Sequence, residues 1–388
     1  MQIASRRRWL ASAATLAMPA IAAPPVKVLQ VGPARAIKTI AEAAIQALDG
    51  DTVEVDAGTY PCDVAVWQQN SLSVRAVGGR VRLEANGIAA EGKGIWVARS
   101  GRVRVEGFDF NGARIADRND AGIRFEKGFL TVRHCTFVDN EMGILTGNDP
   151  QAELLVENSE FAFNSRPDGH NHSLYAGAIA RLTVLGSYFH HGLFGHLLKS
   201  RASMNRILYN RLTDEADGRA SYELEFPNGG IACVIGNTIA QSRRTENPVL
   251  ISFGAAGYTW PVRQLYLVHN TLVDNRLYGG VLLRVKPGPD VVRAVNNVVV
   301  GNGVLESAGL GEYRNNFNVG LDEFEPGLRG DHVLKRSSRL LGRAVDPGSA
   351  NGQDLNLYSE YVHPMAVEKL KAPARDPGAV QTRRHPRH

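Results

Sequence analysis

The sequence predicts an all-β fold: a right-handed parallel β-helix solenoid with an N-terminal capping helix. Three observations carry that expectation. A short motif recurs at about the length of one coil, asparagine recurs at one position of it, and a helical segment stands just ahead of the first repeat.

The motif is an aliphatic anchor followed five residues later by a second apolar residue. It pairs Val105 with Phe110, Val132 with Phe137, Val156 with Phe161 and Val184 with Phe189. It continues as Ile207 with Leu212, Val234 with Ile239, Leu267 with Leu272 and Ala294 with Val299. Successive anchors lie 27, 24, 28, 23, 27, 33 and 27 residues apart. In a solenoid each strand pairs in parallel with its equivalent one coil away, so apolar residues stack into internal columns and every coil is covered by its neighbours. A β-sandwich would give a turn signal every ~8–12 residues without this register.

Three positions after the anchor stand Asn210, Asn237, Asn270 and Asn297. Asparagines in a column hydrogen-bond side chain to side chain along the stack. Eight positions after the anchor, Asn140, Asn164, Asn275 and Asn302 mark a second turn.

An open end of such a stack exposes unpaired strand edges. Residues 36–48 put Ile37, Ile40, Ala44 and Leu48 on one helical face, which suits a cover for that end. The predicted organisation is therefore a leader over 1–22, an N-terminal cap over 23–60 and coils over 61–320. A closing segment over 321–365 and a basic, disordered tail over 366–388 complete it.

Arg6-Arg7-Arg8 followed by the apolar stretch to Ala22, with Ala20 and Ala22 in an A-x-A pattern, reads as a cleavable signal segment. The paired arginines before Trp9-Leu10 resemble a twin-arginine export signal, so the expected location is periplasmic or secreted. Of the formal net charge of +5, the leader and the segment 366–388 account for more than all, leaving the body near −2. The basic balance therefore gives the folded part no nucleic-acid partner. No run approaches the ~18 apolar residues of a membrane-spanning helix. Cys62, Cys135 and Cys233 allow at most one disulfide, and the latter two fall inside strand patterns as buried thiols.

Polar and titratable residues concentrate between 166 and 226, and five of the 11 histidines lie between 170 and 196. On a solenoid face, coils are ~4.8 Å apart and alternate residues of a strand ~6.5–7 Å apart, so groups from several coils converge. Counting back from the next anchor puts Tyr175, Lys199 and Glu225 in one outward column. The same count puts His196 and Glu223 in a parallel one. Arg201 lies two residues beyond Lys199, and His170 and His172 precede Tyr175. The candidate catalytic residues are thus Lys199, Tyr175, His172, His196 and Arg201. Glu223, Glu225, His170 and Phe253 are candidates for holding substrate. A plain alternative is a solvated sheet face on which Lys199 pairs with Glu225 and Arg201 with Glu223.

Two phrases resemble known families. The helix followed by Gly50-Asp51-Thr52-Val53-Glu54-Val55 and Gly58-Thr59-Tyr60 looks like the N-terminal cap of pectate-lyase-like β-helix proteins, a likeness spanning roughly 27–320. Asp376-Pro377-Gly378-Ala379 resembles the phrase that often ends them. Leu198-Lys199-Ser200 with Asn205 and Asn210 resembles a segment of the chondroitinase-B/alginate-lyase family. That resemblance implies Lys199 as the Brønsted base at C5 of a uronic acid, assisted by Ca2+. The family's acidic calcium ligands are missing from 193–198, and Glu225-Phe226-Pro227-Asn228-Gly229 stands where an Arg-His-Gly phrase is expected.

The expected function is action on an acidic, uronate-containing polysaccharide by a monomer, through β-elimination or C5 epimerisation. Two alternatives stay open: a non-catalytic carbohydrate-binding or structural β-helix, and a glycoside hydrolase using Glu223 and Glu225, two carboxylates on one strand. A metal held by His170, His172 and His196 is a third reading.

Overall fold

A computed structural model describes residues 26–115, 119–166, 170–305, 311–326 and 330–381. The leader expected over 1–22 lies outside the described residues.

Each regular coil contributes three short strands, one to each face of a parallel solenoid. In one coil these are Phe129–Arg133, Thr136–Val138 and Met142–Thr146. The first two faces merge into a 21-stranded sheet, and the third is a nine-stranded sheet from Ala65–Trp67 to Val281–Val285. The register is the one the repeat predicts. Val105, Val132, Val156, Val184, Ile207, Val234, Leu267 and Ala294 are laddered one above the next on the first face. Their partners five residues on form the column of the second face.

Between anchor and partner the chain must turn a corner in one residue. The residue two past the anchor does so at positive φ: His134, Asn158, Gly186, Tyr209, Gly236, His269 and Asn296 all lie between 47° and 66°. Asparagine, histidine and glycine tolerate this left-handed region best, which is why the motif is rich in them there.

The next position points inward and is polar yet fully buried, so its hydrogen bonds must be made internally. Asn210, Asn237, Asn270 and Asn297 do this as a ladder, each side-chain N–H donating to the next Oδ1 at 3.0 Å, and Asn316 extends it at 2.9 Å. Upstream, Cys135, Ser159 and Ser187 occupy the same place, with Cys135 N–H on Ser159 Oγ at 3.2 Å. Cys135 is thus a buried thiol at a ladder position. Cys233 is buried too, and Cys62 is exposed. Asn140 and Asn164 make a second side-chain bond of 3.0 Å. Asn275 and Asn302 stand in exposed turns instead.

Upstream coils fill the second-face column with phenylalanine. Phe110, Phe137, Phe161 and Phe189 stack at 4.9, 4.7 and 4.4 Å, nearly parallel. Burying each ring contributes about 1.5–3 kcal/mol.

A helix, Ile40–Gln46, begins on Thr39, whose Oγ accepts the Glu42 N–H. It is shorter than the predicted 36–48. Ile40, Ala43 and Ala44 enter the core, but Leu48 is exposed.

Residues after 320 run back along the outside of the stack. Ala350, Leu355 and Leu357 cover outward Cys233, Ile235, Tyr266 and Val268, while Phe324, Leu334 and Leu340 cover Ala240, Val273, Val298, Val300 and Val319. The tail expected to be disordered from 366 is corrected through residue 381. Ala366–Lys369 pairs antiparallel with Ser359–Val362, and the Gly378 N–H donates to Asn296 O at 2.8 Å. Apolar outward side chains on the late coils give this segment a surface to bury, which outweighs its own charge and prolines.

Candidate active site

The candidate site is on the third face. There Tyr175 ladders with Lys199, and Lys199 with Glu225, so the predicted outward column forms. Strands His172–Ala176, His196–Ser200 and Tyr222–Phe226 supply it. Leu174, Leu198 and Leu224 face the core between these residues, and their burial fixes which way the polar ones point.

Glu225 is the hub. Its Oε2 lies 3.1 Å from His196 Nε2 and 3.2 Å from Lys199 Nζ. Burial pushes the Glu225 carboxyl up, but His196 and Lys199 together outweigh it and the net shift is downward. Arg201 follows the strand end and turns back: its Nε donates to Tyr175 Oη at 2.8 Å, and its Nη1 donates to Asn228 Oδ1. Trp260, from the long stretch between Val234 and Leu267, donates its indole N–H to Arg201 O at 2.9 Å. That stretch therefore walls one side of the face. Lys199 Nζ stands 5.8 Å from the Tyr175 ring centroid.

Two imidazoles lie against this set. His172 ladders with His196, and their rings are 4.4 Å apart. His172 is buried, and that burial, with His196, Lys199, Arg201 and His170 nearby, holds it well below the usual histidine range. Its Nδ1 accepts the His196 backbone N–H at 3.2 Å, so the neutral ring carries its proton on Nε2. In this state His172 is a donor, not a base. Burial also lowers His196, partly offset by Glu225. Tyr222 stacks on His196 at 4.9 Å. His170 is exposed at the start of the strand.

Two expected substrate residues are corrected. Glu223 is not in the outward column: His196 ladders with Tyr222, and Glu223 is fully buried beside the core. The cause is a corner in every coil of this face, where two successive residues point inward. A Cβ on Gly122 would meet the Phe137 ring at 2.7 Å, and one on Gly143 the Phe161 ring at 2.7 Å. The following residues, Ile123 and Ile144, are core as well. Glu223 occupies that first corner position. Burial, then Asp214 and Asp274, push its carboxyl well up. The expected Arg201–Glu223 pair is absent, and the two glutamates do not face one substrate as a hydrolase pair would. Phe253 is also fully buried, packed against Phe226 and Tyr258.

Asn228 and Tyr222 complete the site without having been assigned to it. For Asn228 the signal was available, since the count that aligns Lys199 with Glu225 brings 227–228 beside Arg201.

Calcium takes 6–8 oxygen ligands at about 2.3–2.6 Å. Around Lys199 the face offers one carboxylate, Glu225, which is already held by Lys199 and His196. Among the described residues no three His, Cys, Asp or Glu side chains are grouped to hold a metal. The donor set does not fit a calcium ion, nor a histidine-held metal.

No protein-family model matches the sequence, and no curated protein matches it. Among solved structures, the fold is similar to the crystal structure of pectate lyase Pel9A. The TM-score is 0.60, with 12% identity over 86% of this chain and 96% of that one. This likeness shows the fold, a parallel β-helix. No helix among the described residues is long and apolar enough to cross a membrane.

Proposed function

We propose that this protein acts on an acidic, uronate-containing polysaccharide, by β-elimination or C5 epimerisation. The observation that carries this reading is the convergence of two cations, Lys199 and Arg201, with the Tyr175 phenol on one partly exposed column. Removing a proton α to a carboxylate needs that carboxylate neutralised, a base at C5 and an acid at O4.

In this reading Arg201 neutralises the uronate carboxylate. Lys199, in its free-amine form, takes the C5 proton and becomes the ammonium, which the Glu225 carboxylate beside it stabilises. The C5 electron pair forms the C4–C5 double bond as the C4–O4 bond breaks, and Tyr175 gives its proton to O4. Epimerisation starts with the same abstraction and returns a proton to C5 from the opposite side. The likeness to a pectate lyase supports the polysaccharide class. The basic, apolar segment over 1–22 supports export, and the helix Ile40–Gln46 serves as the cover of the N-terminal end.

The test is incubation of purified protein with a panel of uronate polysaccharides. Ultraviolet absorbance of the unsaturated product reports elimination, and proton NMR reports C5 inversion. One of the two signals is expected with at least one substrate. Silence in both across the panel sinks the reading.

A further inference from the structure

The second face carries a feature unconnected with Lys199. Two hollows of about 610 and 840 Å³ adjoin there and share Arg243, Val273, Asn275 and Leu321. Volumes of ~300–1,000 Å³ are those of small-ligand sites. The strands Thr238–Gln241 and Thr271–Asp274 border one side, and the turn Leu321–Glu323 of the closing segment forms the other.

Charge in this cleft is unevenly satisfied. Glu215 accepts from Tyr188 Oη at 2.8 Å and pairs with Arg211 at 3.0 Å. Glu323 accepts from Ser338 Oγ at 2.6 Å and pairs with Arg339 at 3.3 Å. Asp274 Oδ1 accepts from Gln241 at 2.7 Å, and Asp322 stands exposed at the rim. Asp274 Oδ2 has no hydrogen-bond partner, and two guanidiniums have no carboxylate partner among the described residues. Arg243 is exposed, and Arg276 holds a buried Nη1 with no hydrogen-bond partner. An N–H withdrawn from water and left unbonded is costly, and a planar guanidinium pairs best with a carboxylate fork.

We propose that this cleft is a second binding site, separate from the Lys199 face, for a carboxylate-bearing saccharide chain. Arg243 and Arg276 take the carboxylate. Val273 and Leu321 offer an apolar surface to the C–H edge of a sugar ring, and the Asn275 amide lies within the same wall for its hydroxyls. A phosphate would use the same guanidiniums but neither of the other two features. Binding here does not depend on turnover at Lys199.

The test is amide hydrogen exchange on the full chain with a short oligogalacturonate, a neutral oligosaccharide of equal length, or inorganic phosphate. The uronate oligomer is expected to protect 240–244 and 273–277. Arg243→Ala should raise the concentration needed about tenfold, the weight of one charge-assisted pair, with unchanged melting temperature. Arg243→Glu should abolish the protection. The proposal is overturned if these segments stay unprotected, if the neutral chain protects equally, if phosphate alone protects, or if Arg243→Glu binds as wild type. Each result is read at the cleft itself, so it is separable from whether uronates are turned over.

Discussion

Glu223 and Glu225 stand two residues apart on one strand and belong to different parts of the molecule. The outer face gives Glu225, itself buried, the Lys199 ammonium and the His196 ring as partners, and its carboxyl is lowered. At the inner corner Glu223 is sealed off: both of its oxygens lack a hydrogen-bond partner and its carboxyl is raised. Desolvation acts on both, and partners decide the sign. Ionised and paired, the outer glutamate organises a site, whereas the inner one is a neutral polar group inside an apolar wall.

The largest expected effect falls on the outer face. Lys199→Ala should lower turnover by about 10²–10⁴-fold, the usual loss for a proton-transfer group, while the unfolding midpoint stays close to wild type. Steady-state rates and calorimetry check it. An active Lys199→Ala would leave Lys199 as a mere ion-pair partner of Glu225.

Inside the coil, a polar group with its partners should behave in the opposite way to Glu223. Asn237 donates to Asn270 and to Ile207 O, and its Oδ1 accepts from Asn210. Asn237→Ala strands several buried groups and should cost roughly 2–4 kcal/mol in urea unfolding. A loss under 1 kcal/mol would mean that the ladder adds little beyond its backbone.

Smaller and of opposite sign is Glu223→Leu. Ladder neighbours place Leu197 and Leu250 on either side of Glu223, so leucine continues their column. Stabilisation of about 1–3 kcal/mol at neutral pH is expected. The pH dependence follows from the same corner. Burial pushes the nearby Asp214 carboxyl up to about 7, against about 3.9 in an unfolded chain. A raised carboxyl stabilises fully below the unfolded value and loses that contribution as pH rises through the folded one. Thermal midpoints should therefore fall between about pH 4 and pH 7 through this corner, and Glu223→Leu with Asp214→Asn should flatten the fall. An unchanged slope would show that these acids are ionised in the folded protein.

Much of this was legible in the sequence. The anchors, the corner residues at positive φ and the asparagine ladder all recur at one spacing, and the column Tyr175–Lys199–Glu225 follows from counting back to them. Counting failed by one residue at His196 and Glu223. Strict alternation is broken at the third-face corner, and only the small side chains of Gly122 and Gly143 hint at the crowding there. Phe253, expected to hold substrate, shares the inward register of Phe226. The docking of 366–381 has no period to reveal it. Its cue was indirect: the outward residues Ile235 and Val268 are apolar where solvent would favour polar ones.

The most direct measurement sets the two glutamates against each other in one assay, pairing uronate turnover with thermal unfolding for Glu225→Gln and Glu223→Leu. Glu225→Gln is expected to cost turnover at least tenfold with little change in stability, and Glu223→Leu to raise stability with turnover kept. Full activity in Glu225→Gln, or loss of activity in a well-folded Glu223→Leu, would contradict the assignment of function to the outer face.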